Sequence, residues 1–170
     1  MTTPQHPVPA GERADLLETL AKHRGLLRVT VRGLTEEQAA QRTTVSELCL
    51  GGLIKHLAGV EERWMRFVTG GAKAMRSEPV DWESEFRMLD GETLAGLLER
   101  YEQAARRTDE LVATLPDLDA SHLLPEAPWF EPGTRWSARR VLLHVITEIS
   151  QHAGHADIIR ESLDGAKSMG

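Results

Sequence analysis

The segment 141-VLLHVITEISQHAGHADIIRE-161 decides how the chain is read. Within it His144, Glu148, His152 and His155 recur at spacings of four, four and three. On an α-helix those spacings set side chains above one another on a single face. One stripe therefore carries three imidazoles and a carboxylate. Val141, Leu142, Val145, Ile146, Ile149, Ile158 and Ile159 surround the stripe, which predicts a helix buried over much of its girth. A carboxylate drawn out of water beside imidazoles needs a positive partner to offset its lost hydration. A metal ion supplies one, so the stripe reads as a candidate metal site.

This helix is expected from an N-cap at Ser137 to about Leu163, with Asp164-Gly165 as its stop. Upstream, 116-PDLDASHLLPEAPWFEPGTRW-136 is punctuated by prolines and holds the aromatic residues Trp129, Phe130 and Trp136. These read either as a lid or as an end cap, with Trp136 packing at the start of the last helix and His122 on the loop surface. Leu94, Leu97, Leu98, Tyr101, Ala105, Thr108, Leu111 and Leu115 predict a helix over 92–115. Residues 72–90 lack sustained periodicity and contain Pro79, which predicts a long loop with one turn near 82–89.

Cys49, Leu53, Val60 and Phe67 mark one face of a helix over 46–69, ended by Gly70-Gly71, with His56 midway along that face. Thr44 to Glu47 resembles a capping box opening this helix, and Thr35 to Gln38 one opening a short turn. Leu16, Leu20, Leu27 and Val31 predict a first helix over 12–32, with acids early, arginines late, and His23 in the same stripe. Residues 1–10 are proline-rich and are expected to form a flexible arm. No strand pattern and no repeat is visible. Four long helices in 170 residues predict an all-α, four-helix bundle, expected as one domain over 1–170.

Side chains four apart on a helix have Cβ atoms about 6 Å apart, so Glu148 and His152 can converge on one ion. Helix axes in a bundle lie about 8–10 Å apart, which brings His56 within reach as a third ligand. His144 with Glu148, and His152 with His155, compete as pairs at the same spacing. Cys49 reads as a small buried hydrophobe or, alternatively, as a thiol ligand or nucleophile. The patterns HExxH and Glu-x-x-His are absent, against a zincin protease and a di-iron centre. No Gly-rich phosphate loop, GxSxG elbow or CxxC is present.

The net charge of −6, from 20 basic and 26 acidic residues, disfavours nucleic acid and anionic membranes as partners. The lone cysteine admits no internal disulfide, and no run of about 18 apolar residues is present, so a cytoplasmic location is expected. The partners expected are a small-molecule substrate and, as a further candidate, a second copy of the chain in a homodimer.

Two segments, 53-LIKHLAGVEERW-64 and 142-LLHVITEISQHAGHADIIRE-161, resemble the DinB/YfiT-like metalloprotein superfamily, in particular its actinobacterial branch. The resemblance implies a four-helix bundle holding one divalent metal, zinc first and nickel second. It implies His56, Glu148 and His152 as ligands, with His155 and His144 lining the pocket or supporting the ligands. The Glu-x-x-x-His arrangement is similar to that of mycothiol-dependent maleylpyruvate isomerase, a relative within the superfamily. A low-molecular-weight thiol, mycothiol or bacillithiol, is thereby implied as cosubstrate. The leading expectation is a metal- and thiol-dependent transferase or isomerase; the alternatives are a metal-dependent hydrolase and a non-catalytic, metal-stabilised small-molecule-binding bundle.

Overall fold

Leu16, Leu20, Arg24, Leu27 and Thr30 fall on the buried stripe of α1 (Glu12–Thr30). This is the computed structural model of the chain, and it describes residues 10–82 and 84–168. The arm predicted for residues 1–10 lies, but for Ala10, outside the described residues. Arg24, and not His23, takes the inward position on α1, and His23 is only half-buried. The Thr35 capping box forms as expected and opens α2 (Glu36–Ala40).

The second expected box does not form. Thr44 and Ser46 hydrogen-bond each other through their hydroxyls at 2.9 Å, and Glu47 faces Arg42 at 3.6 Å instead of reaching back to Thr44. Short polar side chains that bond locally compete with helix initiation. The helix α3 (Leu50–Met75) accordingly begins later, with Cys49 as N-cap accepting from the Gly52 amide at 3.4 Å. It also runs past the expected stop at Gly70-Gly71. Gly71 takes φ +69, which kinks the helix and leaves it one further turn. The His122 ring sits close enough that a β-carbon on Gly71 would lie 3.1 Å from its Nδ1.

Thr93 caps α4 (Leu94–Thr114), whose inner face carries Leu97, Tyr101, Ala104, Ala105, Thr108 and Val112. The last helix is α5 (Ala138–Asp164), with Ser137 accepting from the Arg140 amide and Gly165 in the left-handed conformation at its end. Its apolar girth is narrower than predicted, since Ile158, counted in that girth, is 61% exposed. Between α4 and α5 lie two three-residue strands, β1 (Ser121–Leu123) and β2 (Arg135–Ser137), where no strand was expected. They pair antiparallel with His122 opposite Trp136. Three residues cannot display the alternation by which a strand is read, and pairing here comes from the fold closing the 118–138 connection on itself.

The four long helices pack as a bundle in which α3 contacts α4 and α5, and α1 contacts α5 and, less extensively, α4. Leu20, Leu27, Ile54, Leu57, Phe67, Leu142 and Ile149 fill its centre with almost no exposure. The 76–93 loop is pressed onto the start of α3. A β-carbon on Gly52 would lie 1.9 Å from the Phe86 carbonyl oxygen, and one on Gly51 2.1 Å from Met88 Sδ. Glycines at these positions let the loop backbone approach and deliver Ser84 and Glu85 into the interior, where both are buried. No helix among the described residues is long and apolar enough to cross a membrane.

Candidate metal centre

His56 sits in the second turn of α3 and is 7% exposed; across from it on α5, His152 is 9% exposed and Glu148 is half-buried. Glu148 Oε2 lies 3.6 Å from His56 Nε2 and 3.7 Å from His152 Nε2. One ligand atom from each of the three residues lies within 4.8 Å of the others, and among the described residues this is the group able to hold a metal ion. Bonds of about 2.0–2.2 Å in a tetrahedral site put ligand atoms roughly 3.4 Å apart. Two of the three separations are already close to that value. Both ring nitrogens of His56 are buried without a hydrogen-bond partner, an arrangement that costs stability unless a cation meets one of them. Nitrogen and carboxylate donors of this kind suit zinc or nickel.

The remaining candidates from the sequence surround this group without joining it. His144 Nε2 lies 3.7 Å from the other carboxylate oxygen, Glu148 Oε1, and its ring meets Trp64 and Trp136 edge-on at 4.9 and 5.2 Å. His155 Nδ1 lies 3.2 Å from His152 Nδ1, behind the face that His152 turns to Glu148. Of the two competing pairs, each is thus in contact, but through atoms directed away from the shared position. Cys49 is 2% exposed and is engaged at the start of α3, where Sγ accepts from Gly52 N and donates to the Phe86 carbonyl at 3.6 Å. His122 is not on the loop surface: its Nε2 lies 3.2 Å from the Val68 carbonyl, and its ring packs on Phe67.

Two residues of the 76–93 loop complete the surroundings of His56. Glu85, 6% exposed, places Oε1 3.3 Å from His56 Nδ1 without hydrogen-bond alignment, and the same oxygen lies 2.6 Å from Arg63 Nη2. Phe86 stacks on the His56 ring at 4.3 Å. Neither follows from periodicity, because residues in a loop carry no repeating pattern that would flag burial. The only signal is an acid beside an aromatic, and the same connection repeats that signal at Asp81-Trp82-Glu83.

The charges are strongly interdependent. Burial alone would depress the His56 pKa, but Glu148 and Glu85 outweigh it and hold the value above the usual histidine range. Burial, followed by repulsion from His56, pushes His152 down to about 4. Burial likewise lowers His144. Glu148 is held below the usual carboxylate range, chiefly by His56. For Glu85, burial raises the pKa, but His56 and Arg63 more than reverse it. The centre is therefore a pair of carboxylates facing one imidazole, His56, that they hold toward its charged form and two, His152 and His144, whose neutral ligating form is favoured; a cation at His56 takes the place of its proton.

A family model described as mycothiol-S-transferase matches residues 15–165, a span containing every residue of this centre. No curated protein matches the chain significantly.

Proposed function

The chain belongs to the mycothiol-S-transferase family, a DinB/YfiT-like family, and from that premise we propose that it is a mycothiol-dependent transferase acting as a single bundle domain. His56, Glu148 and His152 hold one divalent cation in this reading, zinc before nickel. The observation that carries it is the group of two buried histidines and the half-buried Glu148, in which two imidazole nitrogens and one carboxylate oxygen converge while both ring nitrogens of His56 lack a hydrogen-bond partner. A cation held there favours a thiolate over a thiol. Three protein ligands are the set found where a metal also receives substrate.

The chain's own residues orient this group. Glu148 turns Oε2 to His56 and His152 while Oε1 lies 3.7 Å from His144, whose charge acts on it through space. Glu85 faces Nδ1 of His56, so a proton held at Nδ1 leaves Nε2 as the ligating atom. His155 does the same for His152 from behind in the tautomer in which His152 Nδ1 donates to His155 Nδ1 at 3.2 Å, since that leaves Nε2 of His152 for the ion. Trp64 and Trp136, stacked at 5.0 Å, cover the side of His144 and keep water from that flank.

Titrating the cobalt-substituted protein with mycothiol, bacillithiol, glutathione and a simple alcohol tests the reading. Mycothiol is expected to produce sulfur-to-cobalt charge-transfer absorption. If no thiol perturbs the spectrum at millimolar concentration with the site fully loaded, the transferase reading falls. Turnover of esters or amides without thiol would then favour the metal-dependent hydrolase, and its absence the non-catalytic bundle.

The positioning role of Glu85 is open to separate measurement. Glu85→Ala is expected to weaken metal binding by about 10–100-fold, the usual effect of removing a group behind a histidine ligand. Glu85→Gln, which retains an acceptor oxygen, restores part of the loss. Competition against a chelator reads the affinity directly, and an unchanged value in Glu85→Ala would show that His56 is oriented without it.

A further inference from the structure

A groove of about 480 Å³ runs between residues 75–82 and 125–130, beside the metal centre but built from different residues. Its walls are Trp64, Met75, Val80, Trp82, Trp129 and Phe130. The volume falls in the range of small-molecule sites. Two indoles stand in water here at a cost in hydrophobic free energy, Trp82 being 63% and Trp129 71% exposed.

We propose that this groove binds the thiol acceptor, and that the acceptor is an uncharged, flat, apolar molecule. Three features of the groove specify it. Four aromatic side chains, Trp64, Trp82, Trp129 and Phe130, stand in the lining with Met75 and Val80, and aromatic rings hold planar apolar groups by stacking and edge contacts. Of the four charged residues in the lining, Arg63 pairs with Glu85 at 2.6 Å and lies over the Trp82 ring at 5.4 Å, Arg76 donates to the Glu126 carbonyl at 2.5 Å, and Glu78 pairs with Arg66 at 3.1 Å. Arg63 and Arg76 balance Glu78 and Glu126 in the lining, so the groove offers no net charge to an ion of either sign. The third feature is continuity with the centre along two paths. Trp64 forms the inner wall and touches His144, which contacts Glu148; Arg63 contacts Glu85, which faces His56. On each path two side chains, Trp64 and His144 or Arg63 and Glu85, link the groove to the candidate ligands. The role as acceptor site rests on the transferase reading, whereas the binding itself does not.

The test is equilibrium dialysis of the full-length, metal-loaded protein against 2-naphthol, its anionic counterpart 2-naphthalenesulfonate, and cyclohexanol. Saturable binding of 2-naphthol is expected, at least about tenfold tighter than either comparison compound, a ratio matching the worth of favourable ring contacts. Trp82→Ala and Trp129→Ala, both at exposed positions, should each weaken 2-naphthol by about tenfold, with metal content as the check on an intact fold. Absence of saturable binding, or variants that bind as the parent does, overturns the site. Sulfonate binding as tight as naphthol overturns the uncharged ligand class. Self-association of the parent that the tryptophan variants abolish and naphthol cannot reverse would assign the groove to a second copy of the chain and overturn the proposal as well. The two readings fail separately. Naphthol binding that needs Trp82 and Trp129, with no thiol effect on the cobalt spectrum, removes the transferase and leaves the groove site. A thiol effect without naphthol binding does the reverse.

Discussion

Replacing His56 with alanine should leave the purified protein without stoichiometric divalent metal, whereas His144→Ala and His155→Ala should retain it. His56 is the one member of the buried group contributed by α3, and its Nε2 lies 3.6 Å from Glu148 Oε2. Without it two ligands from α5 remain, and two ligands on one helix do not enclose an ion. The loss should exceed the roughly 10–100-fold that follows removal of a group behind a ligand. Elemental analysis of the purified variants measures it. Full occupancy in His56→Ala, or loss in His144→Ala, would reassign the ligands.

Acidity should act on the same equilibrium in two separate steps. A ligating imidazole must be neutral, so the ion competes with protons. The metal-free protein holds the His56 pKa above 6.5 and that of His152 near 4. His56 in its charged form therefore stabilises the metal-free fold below the unfolded value of about 6.5, and that contribution disappears as pH rises through the folded pKa. His152 works in the opposite sense: its neutral form is favoured on folding, with stability present above about 6.5 and lost as pH falls toward 4. Apparent metal affinity should thus fall by about tenfold per pH unit below the His56 pKa, one proton per ion, and steepen only near the His152 value. A single steep loss confined to pH 4 would mean that His56 is not the proton acceptor in competition with the ion.

Arg24→Ala should be the most destabilising substitution outside the metal centre, by about 3–5 kcal/mol. Arg24 and Glu61 are 2% and 0% exposed, and the guanidinium meets the carboxylate at two points, Nε to Oε1 at 2.9 Å and Nη2 to Oε2 at 2.6 Å. Nη1 also donates to Asp109 at 2.8 Å, so one side chain of α1 is bonded to α3 and α4 together. Removing Arg24 strands the Glu61 charge in the core. The double substitution Arg24→Met with Glu61→Leu should recover most of the loss, because it removes both charges while keeping apolar volume. Urea denaturation of the parent, Arg24→Met, Glu61→Leu and the double variant closes this cycle, with Arg24→Ala measured beside them. A cost under about 1 kcal/mol for Arg24→Ala would mean that water reaches Glu61 once the arginine is gone.

The long helices were legible because each presents an apolar stripe over five or more turns, and a helical repeat sustained for that length is rarely produced by a strand or a loop. Leu16, Leu20 and Leu27 located α1, Leu53 and Phe67 located α3, and Ser137 and Gly165 marked both ends of α5. That α5 sets His144, Glu148, His152 and His155 along one face follows from 3.6 residues per turn and needs no tertiary information. Boundaries governed by a few local hydrogen bonds were less legible: Thr44 and Ser46 satisfied each other and delayed α3 to Leu50, while Gly71 kinked that helix without ending it.

Spacing could not divide the groups on the α5 stripe, since every neighbouring pair is three or four residues apart. Contacts from other elements divide them. His56 on α3 faces Glu148 Oε2, Trp64 and Trp136 pack around His144, and the His155 ring stands behind His152. Glu85 and Phe86 reach His56 only because Gly51 and Gly52 allow the 76–93 loop to lie against α3, a contact between segments about 34 residues apart that no local pattern encodes. Burial of Arg24 in place of His23 has the same origin: both lie near the inner edge of α1, and the carboxylates of Glu61 and Asp109 on neighbouring helices make the arginine the one that can be buried.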